Sequence, residues 1–106
     1  MALDLRSVLY YIVSAKLVKV KKLVWDEVNT EHISKHKVTP EEVEQACSGK
    51  IAAKLTYSGR YLFFGVTAKG RVLAMVAAPK KRNWFYIVTA RDASRREREE
   101  LKNDQG

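Results

Sequence analysis

Between Lys50 and Arg91 the chain consists of apolar runs separated by short turn signals, and this punctuation limits the possible folds more than any other feature. The runs are Ile51 to Tyr57, Arg60 to Thr67, Arg71 to Ala78 and Trp84 to Arg91, with Ser58-Gly59, Lys69-Gly70 and the loop Pro79 to Asn83 between them. Turns this short join antiparallel neighbours, because a parallel crossover needs a dozen or more residues. The pattern therefore predicts a β meander. Its middle strands are apolar on both faces, with Leu62, Phe64 and Val66 behind Tyr61 and Phe63, and Leu73 and Met75 behind Val72 and Val76. Such a sheet needs cover on two sides.

Helices flank the meander. Asp26 reads as an N-cap, and a helix from Glu27 to about His36 places Val28, Asn29, His32, Ile33 and His36 within one arc of about 140°, the face turned towards the body of the protein. Thr39-Pro40-Glu41-Glu42 is a capping box with proline at the first helical position. The helix it opens buries Val43, Ala46 and Cys47 and stops at Ser48-Gly49. Ser94-Arg95-Arg96-Glu97 is a second capping box that opens a short charged helix, with Glu97 and Leu101 on its inner side. Lys19 to Trp25 suits an edge strand. The fold class is α+β: an antiparallel meander of four to five strands, two N-terminal helices on one face and a short C-terminal helix. One compact domain is expected over residues 19–102, preceded by an extension at 1–18 (an extra helix or a start placed upstream) and followed by a frayed tail at 103–106.

The apolar run Val8 to Val13 is far shorter than the ~20 residues a membrane helix needs, and Ser14-Ala15-Lys16 is a poor signal cleavage site, so no membrane role is expected. Cys47 is the lone cysteine, compatible with a reducing cytoplasm. Among 106 residues, 20 Lys and Arg stand against 12 Asp and Glu, a net charge of +8 that points to an anionic partner. The basic residues crowd into the last third: Lys80, Lys81, Arg82, Arg91, Arg95, Arg96 and Arg98. Lys80-Lys81-Arg82 stands beside Asn83-Trp84-Phe85-Tyr86, the mixture of cations and rings that holds single-stranded nucleic acid. The same composition is also common at solubilising hairpin tips.

A five-residue loop at Pro79–Asn83 would set Ala78 opposite Trp84 and hence Arg71 opposite Arg91 on one side of the sheet. Like charges so placed repel unless a carboxylate or a bound anion sits between them. Glu97 could be that carboxylate. The other reading is a phosphate site built from two arginine forks. His32 and His36 have the i, i+4 spacing of a metal pair, but there is no H-E-x-x-H pattern and no evident third ligand, so no metal is expected. His32 suits a hydrogen-bonded core position, whereas His36, at a helix end, suits either a C-terminal interaction or a role as general acid or phosphate contact. P-loop, dinucleotide-binding and serine-hydrolase motifs do not occur.

Three blocks in this order, W-D-E-V-N-T-E-H-I-S-K-H-K-V-T-P-E-E-V-E-Q-A (Trp25 to Ala46), G-R-Y-L-F-F-G-V-T-A-K-G-R-V-L (Gly59 to Leu73) and Y-I-V-T-A-R-D-A-S-R-R-E-R (Tyr86 to Arg98), resemble the BrnT toxins of bacterial type II toxin–antitoxin pairs. The resemblance implies a RelE-like ribonuclease fold and a metal-independent endoribonuclease without cofactors. It also implies a small antitoxin, a ribbon-helix-helix protein that connects the toxin to operator DNA. Carried onto this chain it marks His36, Arg60, Arg71, Arg91 and Glu97. In this scheme Arg71 and Arg91 hold the phosphorane charge, His36 or Glu97 moves the proton, and Arg60, Lys80, Lys81, Arg82 and Trp84 position the RNA. BrnT-like chains often carry a basic residue where this one has Tyr86, which removes one phosphate contact. The alternative is a non-catalytic adaptor that keeps the fold and binds RNA or protein.

Overall fold

The computed structural model describes residues 16–56 and 58–99. The expected features at Val8 to Val13, Leu101 and 103–106 lie outside the described residues. Local chemistry starts each helix. At α1 (Glu27–Ser34) the Asp26 carboxylate accepts from the Asn29 N–H at 3.0 Å, and the Asn29 side chain accepts from the Asp26 N–H at 2.8 Å. Thr39 and Glu42 make the same reciprocal pair at α2 (Pro40–Ala46), at 3.2 and 3.0 Å. Ser94 and Glu97 repeat it at 3.1 and 2.8 Å ahead of α3, helical at 95–99. Gly49 takes φ +78° just past α2, a left-handed conformation open to glycine at little steric cost.

The chain is α+β, with a curled, mixed sheet rather than a purely antiparallel one. Its strands are β1 (Lys16–Lys19), β2 (Lys22–Val24), β3 (Lys50–Leu55), β4 (Tyr61–Val66), β5 (Val72–Lys81) and β6 (Trp84–Asp92). They lie in the order β1-β3-β4-β5-β6-β2. β3 to β6 form the meander.

The expected edge strand at Lys19 to Trp25 is instead divided. β1 pairs antiparallel with β3, and β2 pairs parallel with β6, at opposite edges of the sheet. Only Val20 and Lys21 join the two, so the edges lie within about 10 Å of one another and the sheet must curl. The Val20 N–H reaches the Gly49 carbonyl at 3.2 Å, and the Lys21 and Lys22 N–H groups both reach the Asn83 carbonyl, at 2.8 and 3.2 Å. The crossing thus stays hydrogen-bonded to both sides. It also brings residues 16–18 into the sheet, ahead of the boundary expected at residue 19.

The core lies between the concave face and the helices. Phe63, Leu73, Met75 and Ile87 from the sheet are fully buried with Ile33 of α1 and Val43 of α2. Helix α1 is rolled differently from the expectation. Asn29 and Ile33 point inward, Val28 is 70% exposed, and His32 and His36 are exposed. The Asn29 amide sets this roll by donating to the Val24 carbonyl at 2.9 Å, a bond that needs a buried Asn29. On the convex face Leu62, Phe64, Val72 and Val76 are half-buried and Val66 is 55% exposed.

Helix α2 lies so close to β4 that a Cβ at Gly65 would run into the Ala46 carbonyl oxygen. Backbone cannot yield as a side-chain tip can, so Gly65→Ala should destabilise the fold by about 1–3 kcal/mol in urea unfolding, as other overpacked sites do.

Candidate nucleic-acid interface

The β5–β6 hairpin carries most of the residues singled out from sequence, and its register decides their neighbours. The expected five-residue loop is a tight turn instead: Lys81 pairs with Trp84, and Asn83 takes φ +65°. Pro79 lies within β5 beside a register shift that leaves Lys80 unpaired, a place where a residue lacking an N–H is tolerated. A second shift leaves Val88 unpaired between the Val76–Thr89 and Ala77–Ile87 pairs. Arg91 consequently pairs with Ala74, and Asp92 with Leu73. Successive strand residues face opposite sides, so Arg91 leaves the convex face while Asp92 lies on the side of buried Leu73. The expected juxtaposition of Arg71 and Arg91 does not form, because the shorter turn displaces the register by an odd number of residues.

Arg71 is instead the centre of an internal clamp. Its Nε donates to Asp92 Oδ1 at 2.6 Å and its Nη2 to Asp92 Oδ2 at 3.2 Å. Its Nη1 reaches both Glu42 oxygens at 3.1 Å and the Lys37 carbonyl at 2.7 Å, and its Nη2 also donates to the His36 carbonyl at 3.3 Å. One guanidinium thus ties together the chain leaving α1, the first turn of α2 and the end of β6. The Asp92 carboxyl is held below its usual range chiefly by Arg71. Glu42 is lowered by the Thr39 N–H first and by Arg71 second. The Arg71 guanidinium is correspondingly held more firmly in its charged form, mainly by Asp92.

Arg91 has a separate partner. Its two Nη atoms grip Glu97 at 2.8 and 3.2 Å, fixing α3 to β6. Partial burial raises the Glu97 carboxyl, but Arg91 and the Ser94 N–H outweigh it and keep the group below its usual range. The side chains are 46% and 20% exposed, so this pair is more open to solvent on the arginine side. The His36 ring is exposed and stacks on His32 with centroids 6.3 Å apart. Only its main-chain carbonyl meets Arg71.

At the other end of the hairpin, cations lie over rings. The Lys22 ammonium is 4.6 Å and the Lys81 ammonium 4.9 Å from the Trp84 ring centroid, and Lys80 is 5.4 Å from that of Tyr86. The register explains the grouping: Lys81, Trp84 and Lys22 are direct neighbours across β5, β6 and β2. The unpaired position of Lys80 frees its side chain to turn towards Tyr86, whose hydroxyl donates to the α1 cap Asp26 at 2.9 Å. Burial and the Asp26 charge both push the Tyr86 phenol up. Arg82 stands exposed in the turn, and Arg60 is exposed one residue before the Tyr61–Ala77 pair, towards the same end.

The structure therefore separates what sequence reasoning joined. Lys80, Lys81, Arg82 and Trp84 lie about 30 Å along β5 from Arg71. Glu42 and Asp92 were missed as partners of Arg71, although the general rule that facing cations need an acid was available. Lys22 was missed because nothing in a run of lysines and valines announces a parallel pairing with Trp84. Among the described residues no group of three or more His, Cys, Asp or Glu stands close enough to hold a metal ion. In comparisons with protein families, with curated proteins and with solved structures, no match is found.

The clamp has a pH signature. Folded-state values for Glu42 and Asp92 lie below their ordinary 4.5 and 3.8, so their contribution is complete above those values and is lost as pH falls through the depressed ones. Arg71→Ala should lower stability by about 2 kcal/mol at pH 7 and flatten the acid limb below about pH 4.5, read by urea unfolding across a pH series.

Proposed function

We propose that this chain is a toxin-type RNA-binding protein of RelE-like fold, matched to a small antitoxin and acting in the cytoplasm. The observation that carries the RNA reading is the end of the β5–β6 hairpin, where Lys22, Lys80 and Lys81 lie over Trp84 and Tyr86 with Arg82 alongside. Phosphates suit the cations and bases suit the rings. The toxin–antitoxin part rests on the three sequence blocks. The half-exposed Leu62, Phe64, Val72 and Val76, with Val66, form a surface of the kind a ribbon-helix-helix antitoxin would cover, and operator DNA would be met only through that partner.

The finer proposal is metal-independent endoribonuclease chemistry. A ribose 2′-hydroxyl attacks the adjacent phosphorus and the 5′-oxygen leaves. Arg91, the more open of the two arginines, takes the phosphorane charge, and Glu97, which it grips, moves the proton, whereas His36 lies on the Arg71 side of the sheet, apart from Arg91. Arg71 becomes a structural residue that holds α1 and α2 to the opposite side of the sheet. A second reading, a non-catalytic adaptor for RNA or protein, is favoured by one observation: both arginines already hold internal carboxylates.

RNA incubated with the purified chain in excess chelator should yield products with 2′,3′-cyclic phosphate ends, and Arg91→Ala should slow their appearance about 100-fold. RNA bound but left intact would overturn the enzymatic reading in favour of the adaptor, and RNA neither bound nor cut would overturn both.

A further inference from the structure

We propose that Trp84 is a stacking platform for one unpaired base and that Lys22 and Lys81 take the phosphates on either side of it, so that the site accepts single-stranded RNA and discriminates against duplex. The inference rests on the RNA-binding reading and specifies how that surface would select its ligand.

Three observations lead there. The first is placement. Trp84 sits between Lys81 and Lys22 in one row across three strands, which sets the two lysine backbones about 10 Å apart with the indole between them. That order, cation, ring, cation, matches the order phosphate, base, phosphate along an extended strand. The second is occupancy. Both ammonium groups lie over the indole, at 4.6 and 4.9 Å from its centroid. A flexible lysine can leave a ring for a phosphate oxygen, and a base can then take the exposed π face, so the protein exchanges two cation–π contacts for two ion pairs and a stack.

The third is mounting. Trp84 is half-buried and held in a paired strand, so its ring is presented with little freedom to lose on binding. The turn beside it is Arg82-Asn83, polar rather than apolar, which suits a nucleic acid better than insertion into a bilayer. In a duplex the base faces are already stacked on one another, leaving only phosphates to bind.

The test uses the full chain with Trp25→Phe, so that indole emission reports Trp84 alone. A 12-nucleotide single-stranded RNA should quench this emission, whereas a 12-base-pair RNA duplex and base-free polyphosphate should not. By anisotropy, Trp84→Leu should weaken single-strand binding about 10- to 100-fold and leave duplex binding unchanged, with Trp84→Phe intermediate. Lys22→Ala and Lys81→Ala should each reduce the slope of log affinity against log salt by about one. Equal single-strand affinity in Trp84→Leu, quenching by polyphosphate, or duplex bound as tightly as single strand would overturn the proposal while leaving RNA binding in place. Failure of the unmutated chain to bind any RNA would overturn the RNA reading itself, and tighter binding to phosphatidylserine vesicles than to RNA would reassign the surface to membranes.

Discussion

The Arg71 guanidinium is the interaction on which the placement of the helices depends. Each helix offers the sheet only a narrow buried stripe, Asn29 and Ile33 from α1 and Val43 and Ala46 from α2. Between the two helices lies a turn whose His36 and Lys37 carbonyls would otherwise look outward, and Arg71 takes both. It also neutralises Glu42, which is itself occupied in capping α2, and Asp92, where β6 ends. Each of these bonds is worth little in isolation, but they share one cation. Its removal would leave two carboxylates and two carbonyls without their partner at once, and a phosphate could enter only by displacing them.

What the chain shows locally, its sequence already announces. The capping boxes at Thr39 and Ser94, the N-cap at Asp26, the turns at Ser58-Gly59 and Lys69-Gly70 and the glycine after α2 are chemistry confined to a few residues, and each stands where it was read. What failed is set at longer range. K-V-K-K-L-V-W has the same alternation whether it forms one strand or crosses between two edges, and the choice is made by the Gly49 and Asn83 carbonyls that receive its N–H groups. The roll of α1 was read from hydropathy, which favours an inward Val28. A single polar bond, Asn29 to Val24, overrides it, because a buried amide without a partner is disfavoured more than an exposed valine.

Of the candidate site, the sequence shows the cations, rings and acids but not their arrangement. Facing arginines do demand an acid, yet Arg71 and Arg91 find different ones on different sides of the sheet. Pro79 reads as a loop residue, whereas in the structure it marks an irregularity inside β5; its one-residue shift is undone by the second at Val88, so the two-residue turn is what moves Arg91 opposite Ala74. A bulge is nearly silent in sequence, since it is fixed by the fit of two strands and not by the preference of either.

The division between the two ends also follows side-chain chemistry. Salt bridges between described residues run through arginine: Arg71 to Glu42 and Asp92, Arg91 to Glu97, and Arg95 to Glu99. Arginine's planar fork suits fixed, two-pronged internal contacts, and these consume carboxylates at the Asp92 end of the hairpin. The other end is supplied mainly by lysines, point charges on flexible stems resting on aromatic faces. Contacts of that kind are weak and easily exchanged. Arg71 and Arg91 thus serve the architecture, whereas Lys22, Lys80 and Lys81 remain exchangeable on the rings beside exposed Arg82.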